Sequence, residues 1–161
     1  MDTTEKAEAF LSAFLAKAPL MQIATIEGNE PWIATVWFAA DEKKNIYFLS
    51  KEHRVHSQHL EKNRKVACAI SGQFSQGPGE KIQGVQLSGT ASKVTLIEML
   101  KAYQTYSHKW PQVLKIGTLE AFKGNAAGTR LYKFVPEKIV WFDEINFPGE
   151  PRIQILPTHK E

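Results

Sequence analysis

The residues best equipped for chemistry in this 161-residue chain lie in one short stretch, Ser50-Lys51-Glu52-His53-Arg54-Val55-His56. A hydroxyl, two cations and two imidazoles within seven positions are the donors that hold an oxyanion. Phosphate groups in particular are held by Arg or Lys, by hydroxyls and by the start of a helix. Just beyond, Val55, His59 and Leu60 fall at helical contact spacing, which predicts a short helix beginning near His53. Its unpaired backbone N–H groups and positive dipole end would face the same place as Lys51 and Arg54. His56, one turn further on, adds a donor that strengthens as pH falls. Between Ser50 and Lys65, five Lys or Arg stand against two acids, an excess equal to the +3 net charge of the whole chain. The plain alternative is a solvated basic connector, since charge runs usually lie on the surface.

Other chemistries find less support. His53, His56 and His59 invite a metal, but on a helix a spacing of three rotates each by about 60°, so the outer two splay by ~120°. Neither Cys68 nor an obvious carboxylate completes a ligand set, so no metal is expected and His53 and His59 read as a solvated helix face. Ser71-Gly72 and Ser88-Gly89 lack the Gly-x-Ser-x-Gly frame, and no Gly-Lys-Ser/Thr phosphate loop occurs, so no catalytic residue is assigned. Asp143 and Glu144 read as polar turn residues. A net charge of +3 without a basic recognition helix argues against nucleic acid. No run approaches the ~18 apolar residues of a membrane span and no cleavable leader is evident. The single cysteine, Cys68, sits in the apolar run Val66 to Ile70 as a small core residue, which predicts a reducing, cytoplasmic setting.

The elements that must position the basic stretch follow from periodicity. With 161 residues and 43% hydrophobic content, the chain suits one domain, 1–161, and its nine Phe, four Trp and four Tyr favour sheet. Asp2-Thr3-Thr4-Glu5 has the spacing of a capping box and predicts an amphipathic helix that Pro19 ends. Alternation then predicts strands over Leu20–Ile26, Trp32–Phe38 and Ile46–Ser50, joined by a turn at Glu27 to Glu30 and a charged break at Asp41 to Asn45. After the short helix come strands Lys65–Ser71 and Ile82–Val94, separated by a Gly/Pro-containing surface loop. Gly84 and Gly89 predict a bend or bulge in the second of these. A second capping box, Thr95 to Glu98, predicts a helix burying Leu96, Met99, Leu100 and Tyr103. A helical or irregular stretch then ends in Gly124 to Gly128. Arg130–Val135, Ile139–Phe142 and Arg152–Leu156 read as the last strands. The fold class expected is α+β, mainly β.

Several segments together resemble a known family. Ile23-Ala24-Thr25-Ile26, a polar turn and Pro31, then Tyr47-Phe48-Leu49-Ser50, then His56 followed by Leu60, Asn63 and Val66, are similar to the first half of the pyridoxamine-phosphate-oxidase-like signature. Ile82 to Ala91 resembles that superfamily's second strand motif, especially as found in small bacterial members. The resemblance spans roughly three quarters of the chain, and each motif alone is degenerate. It implies an antiparallel split β-barrel with flanking helices and a homodimer binding FMN in two clefts between subunits.

Carried over position by position, the resemblance puts Ala34 to Ala39 along the flavin ring, with Thr35, Val36 and Trp37 among them. Leu49 and Ser50 end the strand beneath it, Lys51, Arg54 and His56 meet the phosphate, and Gln83 with Gly84 falls near a ring-contacting glutamine position. The departures are specific: Ala34 stands for an arginine, Ala39 for a lysine, and Val55-His56 for an Arg-Lys pair, while the C-terminal Arg-x-His substrate motif has no counterpart. Oxidation of vitamin B6 phosphates is therefore not expected. What remains is an FMN-dependent oxidoreductase or reductase acting on a small molecule. The alternatives are a non-catalytic, stress-related dimer binding flavin or haem, and a deazaflavin user.

Overall fold

The structure, a computed structural model, describes residues 2–124 and 128–157. Helix α1 (Thr3–Lys17) starts as its sequence predicts, with Asp2 and Glu5 each satisfying the other's backbone N–H. Its buried face, Ala7, Leu11 and Leu15, stops one end of a sheet. That sheet begins as a meander, β1 (Leu20–Glu27), β2 (Glu30–Ala40) and β3 (Ile46–Lys51). The first turn needs a left-handed residue, which Gly28 supplies at φ 56°. Helix α2 (Val55–Lys62) crosses to β4 (Lys65–Ser71), which forms a hairpin with β5 (Gln83–Lys93). Helices α3 (Met99–Lys109) and α4 (Leu119–Lys123), with a 3₁₀ turn at Pro111–Lys115 between them, precede β6 (Thr129–Asp143) and β7 (Arg152–Ile155).

The strand order β3-β2-β1-β4-β5-β6-β7, closed by a further β3–β6 pairing, makes a six-stranded antiparallel barrel with β7 appended. Closure leaves the barrel without a free edge. The interior is filled by Phe38, Phe48, Phe134 and Trp141 with aliphatic side chains between them, Phe48 stacking on Tyr132 at 5.2 Å. A second apolar cluster, Tyr47, Leu131, Met99, Ala102, Tyr103 and Tyr106 among its members, holds α3 against the outside of β3 and β6.

Three expectations change. Arg130–Val135 and Ile139–Phe142 are one strand, running through Pro136. The β5–β6 register slips between Ser88 and Gly89, so that Pro136 pairs with Gly89 and Glu137 is the extra residue of a bulge, where strand proline is tolerated. Gly89 is obligatory there, because a Cβ would lie 2.1 Å from the Val135 carbonyl oxygen. Gly84, by contrast, pairs in register. The Thr95–Glu98 box forms, but as a turn ahead of a helix that begins at Met99. Leu96 and Leu100 accordingly stay exposed, and the buried face is Met99, Ala102, Tyr103 and Tyr106. His59 is also no solvated residue: it is buried on α2, with Nδ1 3.1 Å from the Thr25 hydroxyl. Of the stretch predicted to end in Gly124 to Gly128, positions 125–127 lie outside the described residues.

Candidate functional site

One cleft of about 690 Å³ opens where the end of β3 turns into α2 and β2 passes alongside. Its wall includes Thr35, Val36, Trp37, Leu49, Ser50, Lys51, Arg54 and His56, eight of the nine residues picked out from sequence. Strand geometry explains the wall. Ala34, Val36 and Phe38 turn towards the core, so Ile33, Thr35 and Trp37 turn outwards. Val36 lines the cleft while its side chain belongs to the core. Trp37 is 54% exposed and Ile33 65%, next to the equally open Trp32. Large apolar side chains left in water along one cleft mark a surface that binds something. Trp37 is braced edge-on against Trp110 at 5.0 Å, and the Trp110 indole N–H donates to the Phe38 carbonyl at 2.7 Å.

The polar end is built by the β3–α2 connection. Arg54 is the N-cap of α2, in extended conformation and without a side-chain capping bond, so the helix presents its first N–H groups uncapped. The helix therefore starts two residues later than the sequence predicts. Lys51 and Arg54 are both exposed, and neither has an ion-pair partner among the described residues. The neighbouring charges are committed instead: Glu52 takes Arg130 at 3.1 Å and Lys93 at 2.8 Å, and Lys93 also reaches Glu61 at 2.8 Å. Those pairs, Lys93 first, hold the Glu52 carboxyl below its ordinary range. Two cations remain unneutralised beside an open helix N-terminus.

His56 differs from expectation. It is buried, and its Nε2 lies 2.7 Å from Ser50 Oγ, which also accepts a hydrogen bond from Ser57 Oγ at 2.9 Å. Burial, then the nearby Arg54 and His59, push its pKa below the usual imidazole value. His56 thus touches the cleft chiefly through Ser50.

Gln83 is not brought to this cleft within one chain. Its amide donates to Asp143 Oδ1 at 3.0 Å and it lines a separate groove between α1 and the 72–82 loop. Asp143 is fully buried, with its carboxylate capping the turn by accepting from the N–H groups of Ile145 and Asn146. Sequence reasoning missed Tyr106, Ile116 and Thr129, which complete the cleft wall. Tyr106 is buried on α3, and its phenol is pushed up to about 12 by that burial. Thr129 reaches the site only because it pairs with Lys51 across β3–β6, a register no local pattern reveals. It also missed Ser57, whose spacing from Ser50 carries no signal. Among the described residues no cluster of His, Cys, Asp and Glu could hold a metal ion, and no helix is long and apolar enough to cross a membrane.

A closed six-stranded antiparallel barrel with flanking helices defines the split-barrel class of folds. A family model described as pyridoxamine 5'-phosphate oxidase matches residues 7–139, and the chain belongs to that family. Among solved structures, a haem-binding protein from Mycobacterium smegmatis superposes with a TM-score of 0.74 at 13% identity, covering 98% of this chain but 60% of that one. HutZ, the haem storage protein of Vibrio cholerae, gives 0.66 at 15% identity over 83% of this chain and 92% of its own. An FAD-binding protein from Mesorhizobium loti gives 0.60 at 13% identity, over 81% and 91% respectively. At such identities the likeness shows a shared fold. Among curated proteins none matches this sequence.

Proposed function

We propose that the cleft holds FMN between two copies of this chain, and that the protein is a flavin-dependent oxidoreductase or reductase of a small molecule. The observation that carries this reading is the junction of two unlike surfaces in one cleft. Unpaired Lys51 and Arg54 stand with Ser50 at an uncapped helix start, and exposed Trp32, Ile33 and Trp37 stand beside them. The first set suits a phosphate monoester and the second an aromatic ring system, as ligand sites combine an apolar wall with a few placed polar groups. The residues therefore fit FMN. Bound there, FMN would supply the electron transfer, and the chain would supply position, field and exclusion of water. Lys51 and Arg54 would neutralise the phosphate, Ser50 and the first α2 N–H groups would orient it, and Trp37 would cover a ring face. A second subunit seated on Trp32 and Ile33 would close the open side and could bring Gln83, which its own chain keeps elsewhere.

The missing counterparts of a family arginine and lysine at Ala34 and Ala39 argue against oxidation of vitamin B6 phosphates. They also favour a second reading, a non-catalytic flavin- or haem-binding dimer, which the haem-binding structural neighbours make concrete. His56 is poorly placed as an axial ligand, since it is buried and its Nε2 is already engaged with Ser50. Titration with FMN, haem and a deazaflavin, followed by NADH or NADPH, separates these outcomes. Uptake of FMN and its reduction support the enzyme, whereas uptake without reduction supports the passive binder. A Soret band with no flavin uptake would replace FMN with haem.

A further inference from the structure

We infer that Ser57 and His56 form a buried hydrogen-bond relay that aims the Ser50 hydroxyl, so that binding of a phosphate dianion in the cleft is coupled to protonation of His56. This rests on the reading of the cleft as a phosphate site and adds a control to it. The argument is a count of protons on three side chains. Ser50 Oγ has one proton to give and two lone pairs. Ser57 Oγ, 2.9 Å away, donates into one lone pair. His56 Nε2, 2.7 Å away, either accepts the Ser50 proton or donates into the second lone pair. With Ser57 donating, the one other acceptor within reach of Ser50 among the described residues is the Lys51 carbonyl at 3.4 Å, at the limit of a useful bond. With Nε2 bare, His56 therefore takes the Ser50 proton, and Ser50 shows the cleft an oxygen with no donor. An imidazolium must donate at Nε2, and the Ser50 proton then turns to the cleft that Ser50 lines.

An anion at the β3–α2 junction favours the second arrangement twice over, by accepting that hydroxyl and by placing negative charge near the imidazole. By reciprocity, protonating His56 tightens anion binding by the same factor. The groups around His56 set the balance. On α2 itself Arg54 opposes protonation and is the charge an anion would neutralise, while His59 adds a weaker opposition. From β1, Glu27 is tied to Lys62. On β5, Lys93 is tied to Glu52 and Glu61, and on β6, Arg130 is tied to Glu52 and the Tyr132 phenol is buried. β2 carries only Glu30 at its start, and β3 contributes Lys51. Neutralising Arg54 is thus the change in charge that an arriving anion makes at His56.

The test measures FMN affinity between pH 8 and 6 for the wild type, His56→Gln and Ser50→Ala, with thermal melts confirming that each variant is folded. Gln keeps a side-chain donor at the Nε2 position but does not titrate. FMN's own phosphate ionisation is common to all three proteins, so only differences between their pH profiles count. If the anion raises the imidazole by one unit, wild-type affinity should gain more than that of His56→Gln over this range, by at most about tenfold. Calorimetry in two buffers at pH 6 should show more net proton uptake on binding in the wild type than in either variant. Identical pH profiles in wild type and His56→Gln, with binding still dependent on Arg54, would overturn the relay and leave the FMN reading standing. A pH dependence undiminished in Ser50→Ala would also overturn it, by showing that the anion acts on His56 through charge alone and not through the Ser50 hydroxyl. Failure of the wild type to bind FMN at all would overturn both.

Discussion

Replacing Arg54 by Ala should weaken FMN and leave riboflavin almost untouched. Arg54 carries no ion pair among the described residues and lies at an uncapped helix start, so its charge is available to a ligand and little else depends on it. A charge-assisted hydrogen bond contributes roughly 1.5–3 kcal/mol. Arg54 is exposed in the single chain, so water screens part of that, and the lower half of the range applies, about 1.5–2 kcal/mol. At 1.4 kcal/mol per tenfold this is roughly a 10- to 30-fold rise in the Kd for FMN. Riboflavin, which has the ring and ribityl chain without the phosphate, should change by less than about twofold on the same reasoning. Flavin fluorescence on binding reads both affinities, and a urea midpoint equal to wild type confirms folding. Equal losses for FMN and riboflavin would refute the reasoning, because they would place Arg54 on the ring or in the scaffold.

Trp37→Ala should show the converse pattern, weakening FMN and riboflavin alike by about 1–2 kcal/mol through lost ring contact, as direct titration of both ligands would show. Ile33→Glu should convert the proposed dimer into a monomer on size exclusion with light scattering, since it plants a charge in the exposed apolar surface beside the cleft. Gly89→Ala should destabilise by on the order of 3 kcal/mol in urea, because its Cβ would meet the Val135 carbonyl oxygen at 2.1 Å and backbone cannot yield as a side chain can. For His56 the folded pKa lies below the unfolded one, so its neutral form contributes stability that is fully present above the unfolded value, near 6.5. That stability is lost as pH falls from there through the folded pKa. Without ligand, the wild-type urea midpoint should therefore fall more between pH 7.5 and 5.5 than that of His56→Gln.

Much of the barrel can be read in the chain because each strand obeys a period of two and each break carries its own chemistry. Lys65–Ser71 alternates cleanly and is found with those ends, and Asp2 to Glu5 closes the capping box its spacing requires. What misled was local pattern overruled by distant pairing. Pro136 looks like the end of a strand until Gly89 opposite it makes room for a bulge. Leu96 and Leu100 look like core until the turn at 96–98 delays the helix and rotates them into water. The cleft was legible where it is contiguous, because β2 and the single run from the end of β3 into the first turn of α2 supply the eight lining residues picked out from sequence. It was illegible at Thr129 and Tyr106, which arrive through the closing of the barrel and the packing of α3. Gln83 marks the same limit from the other side: its sequence position resembles a ring contact, while its own fold ties it to Asp143.

The most direct test of the central claim is equilibrium titration of the purified protein with FMN, followed by absorption and flavin fluorescence, with haem titrated in parallel. Saturation at one FMN per chain with micromolar or tighter affinity, a perturbed flavin spectrum and no competing Soret band is the predicted result. A protein that takes up no FMN at tens of micromolar, or that binds haem in its place, would contradict the claim.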